Sequence, residues 1–129
     1  MRYRDPKVSA LRFNEAINCR DLKALEGLMT ADHALVCYGS LDASGRDASL
    51  DAWRGFFEAY PRYVNIMAVI VSNGDLVAMA GRSECPREPE LEGPALWSAR
   101  VEDSGLLSEW RVWQNTAETR QLLGIPPSA

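Results

Sequence analysis

The sequence predicts an α+β domain, and three observations carry that reading. Apolar residues near the N-terminus recur at helical spacing, with Ala10, Phe13 and Ile17 in step. From Val64 onward the apolar runs are short, β-branched and separated by turn residues, as strands require. Between two such runs stands Asn73-Gly74, the pair that supplies positive φ at both central positions of a type I′ hairpin. Helices first and a strand meander last place the helices on one face of a sheet.

The elements follow in order. Asp5-Pro6 starts the first helix, because aspartate caps free N–H groups and proline tolerates the first helical position. Asn18-Cys19-Arg20 ends it. Asp21 caps a shorter helix with Leu22, Leu25, Leu28 and Met29 on one stripe. His33 to Tyr38 reads as a strand and Gly39 to Gly45 as a loop. Ser44-Gly45-Arg46-Asp47 resembles a weak capping box before a third helix, which shows Leu50, Trp53, Phe57 and Tyr60 on one face. Pro61 stops that helix, since a residue before proline avoids the helical region. Val64 to Ser72 and Leu76 to Cys85 form the hairpin about Asn73-Gly74. Pro86 to Pro94 is an acidic, proline-containing loop. Ala95 to Val101 and Leu106 to Gln114 are further strands, and Thr116 to Leu123 is a terminal helix stopped by Gly124.

The totals narrow the function classes. The 129 residues suit one domain, spanning 1–129, with enough chain to bury a core unaided. A net charge of -4 with no basic cluster argues against nucleic acid and anionic membranes. Cys19, Cys37 and Cys85 are an odd set without C-x-x-C spacing, so a reducing cytoplasm is the expected location. With His33 as the sole histidine, no metal-ligand cluster is visible, and no metal or cofactor is expected. Met1-Arg2-Tyr3-Arg4-Asp5 carries no apolar signal region, and Ile66 to Val71 is too short to span a bilayer.

Several segments together carry a resemblance. They are Asn14 to Leu22, Gly45-Arg46-Asp47, Phe56-Phe57, Asn73 to Val77, Val101-Glu102-Asp103 and Glu109-Trp110-Arg111. In order and spacing they resemble the SnoaL-like and ketosteroid isomerase-like domains of the nuclear transport factor 2-like superfamily. The resemblance runs from about Val8 to Gln114. It implies a cone-shaped fold, a curved antiparallel sheet wrapped around N-terminal helices with one interior pocket, and often a homodimer formed through the outer sheet face. Where ketosteroid isomerases carry a tyrosine, an aspartate base and a second acid, this chain holds Phe13, Tyr38 and Trp97. Where SnoaL-like cyclases place an aspartate on the last strand, it holds Arg111. Neither known constellation is therefore present.

Candidate residues follow from strand alternation and from the resemblance. Alternation puts Glu109, Arg111 and Trp113 on one face of the last strand and Trp110, Val112 and Gln114 on the other. One orientation buries Trp110 and Val112 and leaves Glu109 and Arg111 in water. The resemblance implies the reverse, with Glu109 as a desolvated base and Arg111 as an anchor for an anion or oxyanion. Tyr38 and His33 are further candidates for proton chemistry. Phe13, Trp53, Phe57, Met67, Met79, Trp97 and Trp113 are expected to line an apolar pocket, with Gly81 enlarging it and Ser83 adding a hydrogen bond. The expected ligand is a mostly apolar, carbonyl-bearing small molecule. It is either turned over without cofactor, by an isomerase, cyclase, dehydratase or hydrolase step, or simply bound. A dimerisation module is the third possibility. A homodimer is expected through Trp110 and Val112 with Ala78 and Ala80.

Overall fold

The computed structural model describes residues 5–127. Helix α1 (Pro6–Asn18) begins where the Asp5 carboxylate accepts from the Lys7 N–H. It buries Ala10, Phe13 and Ile17. Asp21 caps α2 (Leu22–Gly27) in the same way, accepting from the Ala24 N–H. Strand β1 (Met29–Cys37) starts earlier than its sequence suggests, and β2 (Ser40–Ser44) occupies a stretch that reads as loop. Helix α3 (Arg46–Ala59) has Gly45 at its N-cap without a side-chain cap, so the anticipated capping box does not form. Then come β3 (Val64–Asn73), β4 (Leu76–Glu84), a 3₁₀ turn (Pro89–Leu91), β5 (Gly93–Val101), β6 (Leu107–Trp113) and α4 (Ala117–Leu123).

The six strands form one sheet in the order β2-β1-β6-β5-β4-β3. Neighbours pair antiparallel except β1 and β6, which run parallel in the middle of the sheet. Helix α1 packs against β3, β4 and β5, while α3 packs against β1 and β2, so the inner face curls around both helices. Its main core joins Leu35, Val77, Met79, Trp97, Ala99 and Trp110 from the sheet to Phe13, Ile17, Trp53 and Phe57 from the helices. Each of the large side chains buried there contributes about 1.5–3 kcal/mol of transfer free energy.

A second, smaller cluster lies on the outer face. Ala78, Ala80 and Leu96 are covered there by Leu123 and Ile125 from the C-terminal segment. Trp113 packs against this cluster, and its Nε1 donates to the Ser98 hydroxyl at 2.8 Å. The last strand therefore faces opposite to the orientation implied by the resemblance. Trp110 is fully buried on the inner side, with its ring 4.8 Å from Phe13, while Glu109 and Arg111 lie on the outer side. The reason is volume and charge: the inner layer takes an indole at position 110, whereas the outer side leaves an ion pair partly in water. The expected dimer face loses its basis with this correction. Trp110 and Val112 point inward, and Ala78 and Ala80 are covered by the chain's own terminus.

Gly81 has a structural role in the sheet. A Cβ at this position would stand 1.8 Å from the Ile66 carbonyl oxygen. The register of β3 against β4 shifts between Met67 and Val69, leaving Ala68 as a bulge opposite Gly81. The missing side chain admits the bulged backbone and does not simply enlarge a pocket. Among the described residues no helix is long and apolar enough to cross a membrane.

Candidate functional site

A cavity of about 560 Å³ lies between the inner sheet face and α3. Leu35, Trp53, Phe56, Ala95, Trp97 and Val112 give it an apolar wall. A groove of about 620 Å³ beside α4 is lined by Asn115, Arg120, Gln121 and Ile125, and it is separate from this inner layer.

Polar groups enter the cavity from the two opposite edges of the sheet. From the β3–β4 edge come Tyr63 and Ser83. The Tyr63 hydroxyl is 3.0 Å from Ser83 Oγ, and Ser83 Oγ donates to Asn65 Oδ1 at 2.9 Å. Asn65 is itself pinned to α1: its N–H donates to Asn18 Oδ1 at 2.8 Å, and its carbonyl accepts from Asn18 Nδ2 at 2.9 Å. Burial pushes the Tyr63 pKa up, and hydrogen bonding with Ser83 and, more weakly, with Asn65 opposes that push. This edge is a connected, buried polar network of the kind that holds its members in one geometry.

From the β1–β2 edge come Cys37, Tyr38 and Asp42. Burial drives the Cys37 thiol up to about 12, with the Asp42 carboxylate adding to the rise. Cys37 is thus a protonated thiol and not a nucleophile near neutral pH. Tyr38 and Gly39 form the two-residue turn between paired Cys37 and Ser40, with φ of 53° and 82°. Positive φ is uncommon for a tyrosine. It leaves the Tyr38 ring on the rim, 64% exposed. The loop after β4 adds Glu90 and Glu92, the latter accepting from the Cys85 N–H at 3.2 Å.

Of the residues singled out from sequence, Trp53, Trp97, Ser83 and Tyr38 line this cavity. Phe13, Phe57 and Met79 lie in the core around it, with Met67 packed against that core. Trp113, Glu109 and Arg111 are on the outer face and do not meet the cavity. There Arg111 Nε and Nη2 each donate to a Glu109 carboxylate oxygen at 3.2 Å, and the guanidinium carbon sits 5.0 Å from the Trp113 ring centre. The pair is a satisfied bidentate bridge, not a base and an anchor in an apolar pocket. His33 is fully buried, stacked on Phe13 at 5.5 Å with Nδ1 2.7 Å from the Leu107 carbonyl oxygen. It joins β1 to β6 and does not line the cavity. Sequence reasoning missed Tyr63, Asn65, Cys37 and Asp42. A polar Asn65 ahead of the apolar run Ile66 to Val71 was the one available signal.

The layer of helices in a curling sheet, with a cavity at the mouth of the curl, defines a cone-shaped α+β domain with an interior pocket. The family model of the SnoaL-like domain matches residues 10–113, and the chain belongs to that family. IdmH of Streptomyces antibioticus, named as a candidate polyketide cyclase, is similar in structure. Its TM-score is 0.72 at 22% identity, over 95% of this chain and 100% of that one. A second candidate polyketide cyclase, from Sinorhizobium meliloti, gives a TM-score of 0.72 at 20% identity, over 81% of this chain and 92% of that one. RV0760c from Mycobacterium tuberculosis, solved with estradiol-17β-hemisuccinate, gives 0.71 at 17% identity, over 87% and 95%. At such identities the likeness is one of fold. No curated protein matches the chain.

Proposed function

We propose that the chain binds a largely apolar small molecule in the cavity between α3 and the inner sheet face. The observation that carries this reading is the pairing of an apolar wall with one built polar cluster, Tyr63–Ser83–Asn65. Ligand sites combine apolar walls with a few placed polar groups in this way. The small-molecule complex of a structural neighbour supports the same reading. Trp53 and Trp97 stand in the wall, so their emission reports occupancy directly. Titration with apolar aromatic compounds should give saturable, single-site quenching. A fluorescence signal that stays flat across such a panel, with calorimetry also silent, would sink the reading.

A second reading is turnover without cofactor, by proton transfer of the isomerase, cyclase, dehydratase or hydrolase type on a carbonyl-bearing ligand. Asp42 favours it, as a carboxylate that lines the cavity from β2, across the sheet from Tyr63. A carboxylate at a ligand's edge is a suitable general base. Asp42→Asn keeps the shape and removes the base, so turnover should fall about a hundredfold or more while binding persists. Unchanged turnover in that variant would remove Asp42 from the chemistry.

A further inference from the structure

The hydrogen-bond network at the β3–β4 edge has a direction, and that direction restricts the ligand. A hydroxyl carries one proton. Ser83 spends its proton on Asn65 Oδ1, a pure acceptor. The Tyr63 hydroxyl, 3.0 Å from the same Ser83 oxygen, must therefore be the donor in that contact. Tyr63 thus has no proton left for the cavity and offers it only a lone pair.

The charged groups of the lining have the same polarity. Among the described residues its charged side chains are Asp42, Glu90 and Glu92, all carboxylates, with no Arg, Lys or His. The Trp53 indole N–H is covered by its neighbours and has no partner, so it does not open to the cavity. Among the described lining side chains, the N–H and O–H protons left free are the Trp97 indole N–H in the apolar wall and the Tyr38 hydroxyl on the exposed rim, neither of which belongs to the Tyr63–Ser83–Asn65 cluster.

We propose that the inner polar end of the cavity is a hydrogen-bond acceptor, selecting ligands that present a hydroxyl there, such as phenols, over ligands that present a bare carbonyl or an anion. A hydroxyl donates to Tyr63 Oη and completes the network. A carbonyl oxygen at the same place sets two acceptors against each other, and desolvation of both goes uncompensated. This inference rests on the cavity being a ligand site, and the test separates the two claims.

The probes are 2-naphthol, 2-methoxynaphthalene and 2-acetylnaphthalene, three bicyclic compounds that differ at one group. Their affinities for the full chain are measured by isothermal titration calorimetry. The expected result is that 2-naphthol binds about tenfold more tightly than either of the others, the worth of one hydrogen bond made against one left unmade. In Tyr63→Phe, which keeps the ring, that advantage should vanish while 2-methoxynaphthalene binds as before. Equal or tighter binding of 2-acetylnaphthalene by the unaltered chain overturns the acceptor assignment and leaves the ligand site standing. So does a naphthol preference that survives in folded Tyr63→Phe. Absence of binding by all three overturns the ligand-site reading, and this inference with it. The comparison among probes on the unaltered chain decides the matter even if the variant fails to fold.

Discussion

Trp110 and Arg111 are adjacent in sequence, yet the sheet gives them opposite surroundings. The Trp110 indole is fully buried and stacked on Phe13. Its truncation to alanine opens a large cavity in the main core and should cost about 3–5 kcal/mol of stability. Arg111→Ala removes a partly exposed ion pair and a cation–π contact, and should cost about 1 kcal/mol or less. Urea denaturation of both variants checks the strand orientation, since a reversed face would exchange the two effects. His33 makes a separate prediction. Burial lowers its pKa below the ordinary value of 6.5, outweighing the raising effects of the Leu107 carbonyl, Glu109 and Asp32. The folded chain then binds fewer protons than the unfolded chain at this site. Its contribution is intact above about pH 6.5 and is lost as pH falls toward and through the depressed folded value. Thermal melts from pH 7.5 down to 5.5 should show a falling Tm, with a shallower fall in His33→Gln. Identical pH slopes in the two proteins would show that the imidazole does not drive the loss.

At the scale of elements, the β3–β4 hairpin decides the shape of the site. Adding even one methyl at Gly81 drives it into the Ile66 carbonyl, so Gly81→Ala should destabilise the fold by about 2 kcal/mol or more. A Tm equal to that of the unaltered protein would mean that the bulged strand moves aside freely. The same bulge explains what was legible in the sequence. Asn73-Gly74 marked the hairpin but one residue early: Asn73 pairs with Leu76, so the two-residue turn is Gly74-Asp75 with only Gly74 at positive φ, while the order of helices and strands followed from spacing. Counting back from the Asn73–Leu76 pair without a bulge sets Asn65 opposite Glu84; the extra residue at Ala68 brings it opposite Ser83 instead. The polar network was hidden by that shift of one. Strand β2 was hidden by its turn, because Tyr38-Gly39 puts a tyrosine at positive φ where sequence reading looks for asparagine or aspartate. The last strand was ambiguous for another reason. It carries a tryptophan on each face, Trp110 inward and Trp113 outward, and alternation alone cannot rank two indoles.

At the scale of the whole molecule, two apolar layers divide the work. The outer layer is closed by Leu123 and Ile125 of the same chain, while the inner layer leaves a cavity of about 560 Å³ at the mouth of the curled sheet. The candidate pair on the outer face, Glu109 and Arg111, is then a structural bridge, and binding belongs to the inside. One calorimetric comparison tests this most directly, with 2-naphthol titrated into the unaltered chain, Ala95→Phe and Arg111→Ala. Ala95 faces the cavity from β5, so a phenyl ring there fills it. The account predicts that binding survives unchanged in Arg111→Ala, with a negative heat-capacity change from apolar burial, and disappears in Ala95→Phe. A folded Ala95→Phe that binds with the original Kd, or an Arg111→Ala that loses binding, would contradict it.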